Sequence, residues 1–280
     1  LVATEKVGED IFSKATSARF LQKTGIGVDN IDISSANAYG LPVSNTPGAN
    51  ATGVAELTIL LILSLYRKLP TLTRETKNGK WLMWEFRPSS YEMEGKTHGF
   101  IGFGNIGREA ARRSKAFGTS IIYYDKFRAA PEHEEALEAD FLSLEEVLAQ
   151  SDIISLHIPL LEETKGLIGE RELNMMKENA VLINVSRGGI VKEESLYNAL
   201  KDGTIAGAGI DVWEKEPVDP GNPLLTLENV IASPHIGAGT RDTLGRVLRM
   251  AFENIKNVEE GMSPDYVVNK EVVENAKATN

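Results

Sequence analysis

Residues 95–125 read GKTHGFIGFGNIGREAARRSKAFGTSIIYYD, and this stretch decides the fold. The apolar run Phe100-Ile101-Gly102-Phe103 predicts a short buried strand that passes directly into Gly102-x-Gly104-x-x-Gly107. From Arg108 to Phe117 the residues Ala110, Ala111, Ser114 and Phe117 recur at helical spacing, and Gly118 is suited to ending that helix. A second apolar strand over 121–124 stops at Asp125. Each part serves the binding of a dinucleotide. Gly102 allows the tight turn, Gly104 lets backbone approach a pyrophosphate, and Gly107 lets helix and strand pack closely. The helix N-terminus offers N–H groups and a positive dipole end to the phosphates. A lone Gly-x-Gly-x-x-Gly is weak evidence. Here the strand before it, the helix after it and an acid about 20 residues on all agree.

The bulk properties narrow the field. A chain of 280 residues can bury a full core and is expected to make two domains. Its net charge of −10 argues against nucleic acid or an anionic membrane surface as the main partner, since both require basic patches. The absence of cysteine excludes disulfides and thiolate chemistry and fits a cytoplasmic location. No metal-ligand pattern is read. The longest apolar run, VAELTILLILSLY over 54–66, carries Glu56 and is too short for a bilayer, which needs about 20 residues. It reads as a buried or interface helix.

Outward from the central stretch, the N-terminal part reads as the tail of a strand over 1–4, a short helix over 9–14 and a strand over 19–23. That strand ends in Thr24-Gly25-Ile26-Gly27, where glycines on both sides of Ile26 suit backbone N–H groups turned towards a small anion. A plain strand-to-helix turn is the simpler alternative. A further short strand is expected over 41–45, then a long helix over 51–68 closed by Pro70. Residues 71–94 form a polar, irregular segment with Trp81, Trp84 and Tyr91, a composition that suits an arm lying on a partner subunit. Beyond Asp125 the pattern alternates. Ser143-x-x-Glu146 is a capping box opening a helix to Gln150. Strands are expected over 153–157, 180–184, 205–211 and 230–232, with helices over 169–176 and 193–200. Alternating βα units of this length predict an α/β fold with a doubly wound parallel sheet, whose ligands bind at the carboxyl ends of the strands.

Three of those strand ends carry notable polar groups: Ser186-Arg187-Gly188-Gly189, the run from Asp211 to Glu216, and Ser233-Pro234-His235-Ile236-Gly237. Arginine offers a two-pronged fork for a carboxylate. Histidine with a carboxylate partner makes a general acid or base. Around a nicotinamide, this set suggests hydride transfer between a hydroxy acid and a keto acid. Each residue also has a plain alternative, as a surface ion pair, a solvated turn or a loop histidine, but their joint appearance at successive strand ends favours the chemical reading.

The segments GKTHGFIGFGNIGR, YYDK, SLHIPLLEETKGLI, LINVSRGGIVKEESLYNAL, GAGIDVWEKEP and SPHIGAGT, with KTGIGVDNID, NTPGANATGVAE and VVNKEV, resemble the NAD-dependent D-2-hydroxyacid dehydrogenase family, of the phosphoglycerate dehydrogenase and glyoxylate–hydroxypyruvate reductase kind. The resemblance covers nearly the whole chain. It implies a Rossmann domain over 46–233 and a smaller, flavodoxin-like substrate domain from 1–45 plus 234–280, with the cleft between them. It implies His235 as acid/base, Glu216 as its carboxylate partner and Arg187 as the clamp on substrate carboxylate and carbonyl. Backbone at Ile26 and Gly27 would also hold the carboxylate. Asp211 would bind the nicotinamide amide, and Asn105, Ile106, Val185, Ser186, Gly237 and Ala238 would line the cofactor, as would His157, through its backbone, and Pro159.

Asp125 is expected to hold the ribose hydroxyls and repel a 2′-phosphate, favouring NAD over NADP, with Lys126 and Arg128 close enough to soften that preference. The helix over 51–68 and the arm over 71–94 predict a homodimer. Some relatives act instead as NAD(H)-sensing corepressors, and this is the alternative function. The sequence does not choose among 2-keto acid substrates. Three departures stand out. Family members open with a strand and helix that precede the region at Leu1, so the substrate domain is expected to be incomplete. Leu161 stands where threonine is commoner, and His98 stands where an aliphatic residue is usual.

Overall fold

Residues 1–50 hold few long apolar runs, and the structure, a computed structural model describing residues 1–272, gives them correspondingly short elements. Helix α1 (Glu9–Phe12), strand β1 (Leu21–Gln22), helix α2 (Ile33–Ala38) and strand β2 (Val43–Ser44) surround a small core of Val7, Phe12, Leu21, Ile31, Ala36, Leu41 and Val43. β1 and β2 pair in parallel, and Val2 extends the sheet through an isolated bridge to Lys23. These residues form one compact unit with the chain from Ala238 onward; Ala51–Gly237 form the other.

The larger unit begins with α3 (Ala51–Tyr66) and α4 (Leu69–Lys77). Then follow β3 (Thr97–Ile101), α5 (Asn105–Ala116), β4 (Ser120–Tyr124), α6 (Pro131–Leu137), β5 (Ala139–Phe141), α7 (Leu144–Gln150) and β6 (Ile153–Leu156). The last elements are α8 (Glu170–Met175), β7 (Val181–Asn184), α9 (Glu193–Lys201), β8 (Gly207–Ile210) and β9 (Val230–Ala232). The seven strands make one parallel sheet in the order β5-β4-β3-β6-β7-β8-β9. The order reverses between β3 and β6, so a crevice opens there at the carboxyl ends of the strands. β6, β7 and β8 are buried along their whole length, as a sheet covered by helices on both faces requires. Each fully buried residue such as Phe100, Ile154 or Leu182 contributes about 1.5–3 kcal/mol of transfer free energy.

Helix α10 (Arg241–Glu259) returns the chain to the smaller unit and buries Thr243, Val247, Ala251, Asn254 and Val258 along one face. Two buried asparagines fasten it and the chain beyond. Asn254 donates to Gln22 Oε1 at 2.7 Å and accepts from Asp265 N at 2.8 Å, while Asn269 Oδ1 accepts from Val43 N at 2.8 Å. No helix among the described residues is long and apolar enough to cross a membrane.

Several boundaries differ from the sequence expectation. The long helix ends at Tyr66 rather than Lys68, and Lys68 takes a left-handed backbone at φ 51°. Pro70 then sits in the first turn of α4, where its missing N–H costs nothing, so it opens a helix within the segment expected to be irregular. The acidic stretch after Asp125 holds α6 and β5. Pro131 starts that helix, and Glu132 and Glu134 lie at its positive end. The strand expected over 19–23 is cut to two residues, and the one over 1–4 to a single bridge. The capping box at Ser143 is present in full, with Ser143 N donating to Glu146 Oε2 at 2.9 Å and Glu146 N to Ser143 Oγ at 3.3 Å.

Candidate active site

The turn from β3 into α5 is built by glycine. Gly102 has φ 95°, and a Cβ there would stand 2.6 Å from the carbonyl oxygen of His157. A Cβ on Gly107 would stand 2.3 Å from the carbonyl oxygen of Gly102. At Gly104 the same construction meets nothing within 4 Å, so the backbone there faces open space. Gly104 is the N-cap of α5 and no side chain caps the helix. The first N–H groups of α5, those of Asn105, Ile106 and Gly107, therefore present the positive end of the helix dipole at the crevice. These features fit a dinucleotide pyrophosphate. Arg108 braces the turn from behind, donating to Phe103 O at 2.7 Å and Asn105 Oδ1 at 3.0 Å. Asp125, at the end of β4, accepts from Phe103 N at 2.7 Å, which ties the acid to the turn it serves. Lys126 pairs with Glu163 at 2.7 Å and Arg128 with Glu134 at 2.9 Å, so both cations beside Asp125 already have carboxylate partners. Across the crevice, His157 follows β6 with its backbone against Gly102, and Pro159 lies exposed two residues on.

On the other side of β6, the turn after β7 carries Val185, Ser186 and Arg187. Buried Asn184, which sequence reading passes over, clamps it. Its Oδ1 accepts from Ser186 N at 3.2 Å and Ser186 Oγ at 3.0 Å, and its Nδ2 donates to Arg187 O at 3.0 Å. Arg187 also donates to Ser186 O at 2.7 Å. Gly188 is in close contact with the next strand's loop: a Cβ there would stand 1.8 Å from Trp213 O. Thus the Arg187 turn rests on the loop that carries Glu216.

That loop and the one after β9 bring Glu216 and His235 together. Glu216 Oε2 lies 2.7 Å from His235 Nδ1, and Glu216 Oε1 accepts from Trp213 N at 3.0 Å. One carboxylate therefore fixes both its own loop and the imidazole. Trp213 is itself buried and donates from Nε1 to Ser233 O at 3.1 Å. Buried Asp211 organises the histidine loop: Oδ1 accepts from Ser233 Oγ at 2.6 Å and Ile236 N at 2.9 Å, and Oδ2 from Gly237 N at 2.8 Å. His235 N donates to Asp211 O at 2.7 Å, and His235 holds φ 54°. A non-glycine residue in that left-handed region costs roughly 1–2 kcal/mol, which this network of loop contacts offsets. A second bracket, also missed in sequence, locks the Glu216 loop to α9. Glu214 N donates to Glu193 Oε1 at 2.6 Å, and Glu193 N donates to Glu214 Oε1 at 3.0 Å.

Because β7, β8 and β9 are adjacent in the sheet, the ends bearing Arg187, Glu216 and His235 are successive. With Nδ1–H given to Glu216, His235 keeps Nε2 for proton exchange. In the smaller unit, Gly25 has φ 143° and its N–H donates to Thr46 Oγ1 at 3.0 Å, while Ile26 O accepts from Asn45 Nδ2 at 2.9 Å. Ile26 and Gly27 are held on that turn, and Ala238 opens the returning segment of the same unit.

Residues 59–237 match the model of the D-isomer specific 2-hydroxyacid dehydrogenase, NAD binding domain. The chain is 40% identical over 272 residues to a glyoxylate reductase of Korarchaeum cryptofilum, covering 96% of this chain and 82% of that one. It is also 40% identical to a D-3-phosphoglycerate dehydrogenase of Archaeoglobus fulgidus, covering 96% of this chain and half the length of that relative. Among solved structures, a glyoxylate reductase from Paecilomyes thermophila superposes with a TM-score of 0.87 at 33% identity, over 95% of this chain and 80% of that one.

Proposed function

The chain belongs to the D-isomer specific 2-hydroxyacid dehydrogenase family, an NAD-dependent oxidoreductase family, and from that premise we propose how this member works. It interconverts a short 2-keto acid and the D-2-hydroxy acid, with Arg187, Glu216 and His235 as its catalytic residues. The observation that carries this reading is the 2.7 Å contact of Glu216 with His235 Nδ1, on the strand end next to the one that leads to Arg187. Held by the Gly102–Gly107 turn, NADH would supply the hydride for the carbonyl carbon. His235, protonated, gives its Nε2 proton to the carbonyl oxygen, and Glu216 stabilises the imidazolium before the transfer and holds the ring in place after it. Arg187 orients the substrate carboxylate and draws electron density towards the carbonyl oxygen. In the smaller unit, the backbone N–H groups at Ile26 and Gly27 are suited to a carboxylate. Asp211, whose Oδ2 accepts from Gly237 N, would hold the nicotinamide amide.

Asp125 makes NADH the preferred reductant, because a 2′-phosphate would meet its carboxylate while Lys126 and Arg128 are engaged elsewhere. The names of the relatives point to glyoxylate or a phosphoglycerate-type acid as the substrate. The protein forms a homodimer through α3 and the arm over 71–94, where Trp81 and Trp84 are largely exposed in the single chain. Replacement of His235 by Ala tests the assignment. Loss of a general acid typically costs 10²–10⁴-fold, so kcat should fall by about that factor with NADH affinity nearly unchanged. An unchanged kcat removes His235 from the mechanism.

A further inference from the structure

Beneath the dinucleotide-binding helix runs a line of buried polar side chains that the chemistry above does not use. His98 in β3 has no solvent exposure. Its Nδ1 lies 2.8 Å from Ser114 Oγ in α5, and its Nε2 lies 2.9 Å from Ser155 Oγ in β6. Ser114 Oγ lies 2.8 Å from Thr119 Oγ1, and Ser155 Oγ lies 3.0 Å from His157 Nε2. The rings of His98 and His157 each stack with Phe100, at centroid distances of 4.0 and 5.8 Å. The line therefore starts at the carboxyl end of α5 and finishes at its first turn, where the backbone of His157 touches Gly102 and its Cβ approaches Gly107. His157 is half-buried as a residue, yet its Nδ1 is shut off from solvent and has no hydrogen-bond partner among the described residues.

Burial holds both imidazoles below their ordinary value, His98 well below it and His157 at about 3, so each is neutral with a single N–H. Proton counting then selects one arrangement. If Thr119 donates to Ser114, Ser114 to His98 Nδ1, His98 Nε2–H to Ser155 and Ser155 to His157 Nε2, every link is made and only His157 Nδ1–H is left over. Reversing the direction strands both the Thr119 hydroxyl proton and His157 Nδ1. If both histidines donate to Ser155, its hydroxyl proton is stranded as well as His157 Nδ1. Buried polar groups left unpaired are costly, so the first arrangement wins.

We propose that Thr119, Ser114, His98, Ser155 and His157 form a one-way hydrogen-bond relay that clamps α5 onto β3 and β6, sets His157 as the Nδ1–H tautomer, and aligns the phosphate-binding turn. His98 is thus a positioning residue for the dinucleotide. The proposal rests on the reading of the 102–107 turn as a dinucleotide site.

Two measurements on the full chain test it. In ¹⁵N-histidine correlation spectra of the wild type, His157 is protonated on Nδ1 and His98 on Nε2; a His157 proton on Nε2 overturns the relay. The second uses the triple replacement His98→Leu, Ser114→Ala, Ser155→Ala, which removes the network without leaving any of these three positions with an unpaired polar group. A purely structural network leaves NADH binding intact in this variant. The relay predicts a dissociation constant and KM for NADH raised about fivefold, the worth of about one net hydrogen bond, with kcat within about twofold of wild type. Wild-type affinity in the folded variant overturns the positioning role. Failure of the wild type itself to bind NADH overturns the reading of the turn instead, and the tautomer spectra distinguish the two failures.

Discussion

Lowering the pH from 7 to 5 tests the buried histidines through stability. In the folded chain the His157 imidazole, held at about 3 by burial, stays neutral at pH 5. In the unfolded chain it titrates near its ordinary value of about 6.5. Between those two values the unfolded state binds a proton that the native state refuses, so stability is complete above about pH 6.5 and drains away as pH falls towards 3. Each pH unit below 6.5 removes about 1.4 kcal/mol, so His157 alone costs about 2 kcal/mol at pH 5. His98, fully buried and held low by desolvation first and by His157 second, adds a loss of the same sign. Urea unfolding at pH 7 and pH 5, on the wild type and on His98→Leu, measures both. The wild type should lose more than about 2 kcal/mol over this interval, and the variant, with one buried imidazole fewer, should lose less. Stability that is flat from pH 7 to 5, or a loss that removing His98 leaves unchanged, would show that the buried imidazoles do not set it.

Two further substitutions probe how the site is held. Gly188→Ala places a methyl group 1.8 Å from Trp213 O, so the 213–216 loop must shift and carry Glu216 with it. Misplacement of that order costs about 10²-fold, so kcat should fall by at least that much while NADH affinity, measured by fluorescence quenching, is spared; full activity would show that the close contact does not position the acid–base pair. Asp125→Ser removes the acid at the end of β4, and the ratio of kcat/KM for NADPH to that for NADH should rise about tenfold, worth about 1.4 kcal/mol. A ratio unmoved from wild type would take cofactor choice away from Asp125.

The parts of this molecule that the sequence makes legible are those whose physics is local. Strands buried on both faces read as unbroken apolar runs, so β4, β6 and β7 stand out in the letters. The 102–107 turn is legible because at Gly102 and Gly107 only glycine avoids the collisions found there. The capping box at Ser143 is a spacing of three residues, and spacing survives in sequence. What is lost depends on partners far along the chain. The two-residue strands of the smaller unit are held by Asn254 and Asn269, more than 200 residues away, and no periodicity announces them. Pro70 reads in sequence as closing a helix, yet proline also opens helices, and only the position of the next turn decides. Asn184 and the Glu193–Glu214 bracket look like ordinary polar residues until the fold brings the turn after β7, the loop after β8 and α9 together. His98 is visible in sequence only as an anomaly; its meaning comes from Ser114 and Ser155, which the fold brings to its two ring nitrogens.

Reduction of a 2-keto acid with NADH by the Arg187–Glu216–His235 set can be measured directly. The direct test follows NADH oxidation at 340 nm by the protein against glyoxylate, hydroxypyruvate, pyruvate and longer 2-keto acids, with Arg187→Ala beside it. Turnover at enzymatic rates is expected on at least one of these acids, with loss of that turnover in the variant. Tight NADH binding with no turnover on any of them, or turnover that Arg187→Ala leaves intact, would contradict that role for the set.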